Sequence, residues 1–300
     1  MKKFIIKSFA FILLLICTDF AIGKTLKYLS TFAIGGDTYK NKYIAEKIDE
    51  DVIIMGSSRA SHHYVSSIFE DSIGLTCYNA GVDGNGIICA YAYTAMYTQH
   101  HTPKIIVFDA VKGFDLDIND NIKYLGRAKL FYDNEQIADI FKEISSTEPY
   151  KMQSYMYRYN SKPLQIIADM IAPQQNDIKG YRPLYGTIKH PKTGKEDNAI
   201  KYDSLKIKFI EKFIDLCKQK EIQLFFAISP NYHQTNLINY SPIVSLAEEH
   251  NIPLFNHLND TTFIGKQHYF YDNVHLNNEG ATAYTNIIVK ELKNYVSANK

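Results

Sequence analysis

Asp272 and His275, three residues apart in YDNVHLNN, form a pair able to do proton chemistry. In a turn, that spacing lets the carboxylate accept a hydrogen bond from the histidine Nδ1–H. Nε2 is then left to take a proton from a hydroxyl. The same D-x-x-H also fits a plain helix-entry turn with a surface histidine. A hydroxyl partner is offered far earlier, in DVIIMGSSRASHHY, where an apolar run breaks at Gly56 and Ser57, Ser58 and Arg59 follow. A serine at a strand-to-helix turn has its own amide at the helix N-terminus, where unpaired N–H donors and the dipole favour a developing oxyanion. For GSSR taken alone, helix capping by Ser57 or Ser58 is the simpler account.

These residues need a scaffold that brings strand ends together. Short apolar runs at Asp51–Met55, Leu75–Gly81, Lys104–Ala110, Ile222–Ser229 and Ile252–Asn256 suit buried parallel strands. Helical patterns over Arg59–Ser72, Gly86–His101, Lys201–Lys220, Ser241–His250 and from about Asn278 separate or follow them. Strands alternating with helices imply right-handed crossovers and a parallel sheet, with ligands beyond its carboxyl edge. That edge would carry GSSR, GVDGNG, DAVKGFD and SPNYH, with YDNVHLN before the last helix. Residues 111–200 break the rhythm and read as a mostly helical insertion, either a lid or padding, ending in a loop over 180–199.

The combination of GSSR after the first strand, YNAGVDGNG after the second and YDNVHLNNEGA before the last helix resembles the SGNH (GDSL-like) hydrolase family. The resemblance spans roughly residues 50–295 and is most specific in DNVHLNNEGA. It implies a flavodoxin-like three-layer α/β/α domain with a five-stranded parallel sheet. It also implies Ser58 as nucleophile, His275 as base, Asp272 as its orienter, and an oxyanion site formed by the amides of Ser58 and Gly84. The family's aspartate before the nucleophile is Ser57 here, as in membrane-anchored, envelope-facing members. The Gly-x-Asn-Asp expected after the third strand is replaced by FDAVKGFD, which has no asparagine. Lys112 or Asn85 is the candidate replacement donor. Loss of one such donor costs on the order of 10²–10³ in rate.

Arg59 is a candidate for steering an anionic substrate, or else a surface salt-bridge partner. Tyr232 and His233 are candidates for the cleft rim, or else part of a plain turn. His62 and His63, adjacent on a helix and pointing about 100° apart, cannot easily share a metal and read as helix-surface residues, or else one of them lines the cleft. No Cys-x-x-Cys pair supports zinc, and Cys77 and Cys89 read as core residues. GVDGNG is not a dinucleotide fingerprint, and no cofactor or metal is expected. A net charge of +1 gives no general attraction to nucleic acid.

The first 25 residues, MKK followed by an apolar run, read as a signal anchor or signal peptide, with the anchor preferred. Residues 26–300 would then form the SGNH-like domain in the cell envelope, outside the cytoplasm. The expected activity is a serine esterase or O-acyltransferase acting on acyl, for example acetyl, esters of an envelope glycan. The alternative is a catalytically silent relative that binds a glycan or a protein partner.

Overall fold

The computed structural model describes residues 1–173, 177–191 and 198–298. Part of the loop expected over 180–199, namely 192–197, therefore lies outside the described residues. The chain forms two compact units: 1–43 with 126–176, and 44–125 with 177–300.

The larger unit carries a five-stranded, wholly parallel sheet: β1 Val52–Gly56, β2 Cys77–Asn79, β3 Ile105–Asp109, β4 Gln223–Ile228 and β5 Leu254–Asn256. Their order is β2-β1-β3-β4-β5, with Gly56 beside Asp109 at the carboxyl ends of β1 and β3. This is the flavodoxin-like doubly wound order, whose topological switch lies between β1 and β3. β2 and β5 are shorter than their apolar runs.

Alternation along the strands separates two cores. Val52, Ile54, Val107, Phe225 and Ala227 join Tyr64, Phe69, Tyr284 and Ile288 on one face. Met55 and Phe108 point the other way. Met55 meets Thr94 and Tyr97 of the Ile87–Tyr97 helix, and Phe108 meets Phe213 of the Ser204–Gln219 helix. Helices on both faces complete the three layers. Cys77, Cys89 and Cys217 are buried in this unit.

One helix is broken where the sequence pattern runs on. The expected helix over 59–72 is two helices, Ser58–His63 and Ser66–Ile73, with Tyr64 and Val65 extended between them. Tertiary partners offset the lost helical bonds. Asn79, at the end of β2, donates to the Ala60 and Tyr64 carbonyls at 2.7 and 2.8 Å and accepts from the Gly81 amide. Val65 N–H donates to Thr285 Oγ1 of the Asn278–Ala298 helix. Replacing Asn79 with alanine strips partners from three buried backbone groups. Urea unfolding of the full chain should show a loss of about 2–4 kcal/mol.

The smaller unit contains the N-terminal helix Lys2–Leu29 and the short helices Glu135–Ile144, Glu148–Lys151, Tyr155–Arg158 and Pro163–Ile171. Leu26 of the first packs with Tyr159 and Ile166 as its core.

Candidate active site

Ser58 opens its helix directly after β1. Gly56 makes the turn possible: its φ is +140°, and a Cβ there would lie 2.6 Å from the Asp109 carbonyl oxygen. Ser57 occupies the N-cap, but its hydroxyl makes no capping hydrogen bond and is buried without a partner among the described residues. The capping account of GSSR is thus corrected for Ser57. Ser58 Oγ instead lies 2.8 Å from His275 Nε2.

His275 is held from behind. Its Nδ1 is 2.8 Å from Asp272 Oδ2, and Asp272 Oδ1 accepts the amides of Val274 and His275. Tyr271 N–H donates to the His275 carbonyl, and Phe270 bridges to Leu276, closing the loop into a tight turn. Partial burial pushes the Asp272 carboxyl up, but the bond from His275 and the two amides outweigh it and hold its pKa below the usual value. A folded-state pKa below the unfolded value adds stability at higher pH. The contribution is lost as pH falls through the folded value. A carboxyl-carbon NMR titration should therefore place the Asp272 midpoint below 3.8.

The second loop reaches the same strand end. Val82 N–H donates to the Gly56 carbonyl, and Asn85 N–H closes a turn onto Val82. Gly84 takes φ +74° in that turn, as a type II geometry requires. The amides of Ser58 and Gly84 have no acceptor among the described residues. Asn85 is buried and directs its side-chain nitrogen to Cys89 Sγ at 3.1 Å. Lys112 is half-buried at the start of the short Lys112–Asp115 helix, and burial lowers its pKa against the pull of Asp117.

Several residues sit deeper than their sequence context suggests. Arg59 is only 4% exposed, not at the surface: its Nε donates to Ser229 Oγ and its Nη2 to the Pro230 carbonyl. Tyr232 is a core residue, edge-on to Phe270, though its amide donates to the Asn273 carbonyl beside the His275 turn. His233 is half-buried, its ring against Tyr232. His62 and His63 are also buried, contrary to the surface reading. They start the turn into the break at Tyr64, and both rings lie edge-on to His275. His62 Nδ1–H donates to the Arg182 carbonyl.

His63 belongs to a network that the sequence did not reveal. Asp109 Oδ1 accepts from Tyr64 Oη and the Ser229 amide, and Oδ2 accepts from Ser229 Oγ–H. Ser229 Oγ must then accept from His63 Nδ1–H, 3.0 Å away, so His63 Nε2 is the acceptor for the Leu276 amide. Burial, then the charges of Arg59, His275 and His62, hold the His63 pKa well below its usual value, so the neutral form is retained. The network ties the ends of β3 and β4 to the backbone beside His275. Its only sequence signal was a polar residue closing each of two adjacent apolar strands.

No group of metal-binding side chains occurs among the described residues. No family model and no curated protein matches the chain. Similar solved structures include an acetyl xylan esterase, AlAXEase, with 12% identity and a TM-score of 0.40, covering 82% of this chain and 98% of that one. Another is a GDSL-like lipase from Bacteroides thetaiotaomicron VPI-5482, with 12% identity and a TM-score of 0.38, covering 89% of this chain and 99% of that one. Likenesses this distant leave the chemistry to the residues themselves.

Proposed function

We propose that this chain is an SGNH-type serine esterase or O-acyltransferase. The carrying observation is the Ser58 Oγ–His275 Nε2 distance of 2.8 Å with Asp272 aligned behind the imidazole. Ser58 Oγ attacks an ester carbonyl while His275 takes its proton. Asp272 keeps Nδ1 protonated and stabilises the imidazolium. The amides of Ser58 and Gly84 receive the oxyanion. His275 then protonates the departing alcohol, leaving an acyl group on Ser58. Water releases the acid, or a sugar hydroxyl takes the acyl group.

The substrate class is an O-acylated, for example acetylated, envelope glycan. Support comes from the N-terminal helix, long and apolar enough to cross a membrane, a property shared by signal sequences. The abundance of tyrosine, 23 residues, also suits a polar ligand groove. The test is labelling of the full chain with a fluorophosphonate probe and mapping of the modified peptide. Modification at Ser58, lost after prior denaturation, is the expected result. Modification elsewhere, or none, rejects the assignment.

A silent, ligand-binding role is the second reading. The third loop supplies no asparagine amide, and Asp109 at its start is committed to the buried network. Glycan binding unchanged in Ser58→Ala, with no turnover across an ester panel, would favour it.

A further inference from the structure

The Pro163–Ile171 helix in the smaller unit is apolar on its open side as well as on most of its packed side. Its one charged side chain, Asp169, points inward, and Oδ2 accepts the Thr38 amide. Ile166 and Met170 also point inward, onto the cluster that contains Leu26 and Leu29 of the N-terminal helix. The side facing outward is formed by Leu164, Ile167, Ala168 and Ile171, with no charged residue among them. Leu164 is 82% exposed and Ile171 75%. Their i, i+3, i+7 spacing makes one continuous stripe. A contiguous exposed apolar stripe of this kind marks a contact surface.

The helix it is fastened to says what covers the stripe. The uninterrupted apolar stretch after Lys7 ends at Asp19. Even from Phe4, the distance to Thr18 is only about 22 Å of helix, short of a hydrocarbon core of about 30 Å. A span starting at Phe4 must extend past Asp19, to about Lys24. Asp19 is prepared for that depth. Its carboxylate accepts Ser154 Oγ–H and the amides of Tyr155 and Met156, at 2.7–2.8 Å. Leu26 lies within a turn of the point where the hydrocarbon ends, so the helix packed there sits at headgroup level.

We propose that the Leu164–Ile171 face lies in the headgroup–acyl boundary of the same bilayer, as an in-plane second contact beside the span. The partner is lipid, and the contact rests on reading the N-terminal helix as a retained span rather than a cleaved signal. It holds independently of whether Ser58 is a nucleophile. In-plane helices of this kind sink about 5–10 Å into the boundary.

The test uses the full chain in vesicles of equal parts phosphatidylglycerol and phosphatidylethanolamine, with and without brominated acyl chains. Cys17 is exposed and is replaced by serine; the other three cysteines are buried. Single cysteines at Leu164, Ile171 or Phe9 then carry an environment-sensitive dye, with the free cysteine adduct of the dye in bulk solution as the water reference. Brominated lipid should quench the dye at positions 164 and 171 by more than about half, as at 9, and leave the free adduct unchanged. Dye at 164 and 171 that behaves like the free adduct overturns the proposal. A blue-shifted dye there that bromine does not quench also overturns it, in favour of a protein partner or second copy. Quenching at 9 alone leaves the span standing without the in-plane contact. No quenching at 9 removes the span and the proposal together.

Discussion

Ser58→Ala should lower turnover of an activated acyl ester by at least about 10³-fold with little change in KM. The reason is geometric. Ser58 Oγ is the hydroxyl that His275 Nε2 meets, and Ser57 Oγ, its neighbour, is buried without a partner among the described residues. A buried N-cap hydroxyl cannot take over as nucleophile without rebuilding the turn after β1. Alanine keeps the backbone amide at position 58, so one proposed oxyanion donor survives with that of Gly84. A residual rate above the uncatalysed one is therefore expected, as in other triads stripped of their nucleophile. The fold should be unaffected, because the Ser58 side chain supports no element other than the His275 contact. Stopped-flow burst kinetics and fluorophosphonate labelling check the expectation together. Loss of both with unchanged circular dichroism agrees with it. Full turnover in the variant would remove Ser58 from the mechanism.

The sheet was readable because buried parallel strands advertise themselves as short apolar runs, and the order of loops along the chain follows from right-handed crossovers. The approach of Ser58 to His275 was readable for the same reason: both segments border helices at the carboxyl edge. What stayed hidden depends on register. Asp109 and Ser229 are 120 residues apart, and only the pairing of Asp109 with Ala227 brings the two side chains together. Arg59 and His63 looked like surface residues because helical periodicity says which residues share a face, not which face is covered. The break at Tyr64–Val65 was equally invisible. Its causes, Asn79 and Thr285, lie on β2 and the last helix. The open apolar face of the Pro163–Ile171 helix shows the same limit, since apolar residues on both sides of a helix do not say which side packing leaves open.

His63→Phe is the second large expectation: kcat lower by about 10–100-fold, KM nearly unchanged and the protein still folded. His63 touches no substrate in the proposed mechanism. It acts through Leu276, whose amide it holds at 3.0 Å, one residue from the base. Phenylalanine fills the volume but offers no acceptor, so the Leu276 amide loses its buried partner and the turn carrying His275 is freed to shift. A displacement of about 1 Å at the base is enough for a loss of that size. His63→Asn and His63→Gln separate positioning from packing. Asparagine can imitate the donor to Ser229 but not the acceptor for Leu276, whereas glutamine can present an oxygen to Leu276. Glutamine should recover part of the rate and asparagine little of it. Proton NMR of the His275 Nδ1–H signal supplies the readout that simple destabilisation would not move. The signal should broaden or shift in the phenylalanine and asparagine variants at temperatures where both remain folded. A phenylalanine variant with normal kcat and an unchanged signal would show that the Asp109–Ser229–His63 network stabilises the sheet edge without positioning the base.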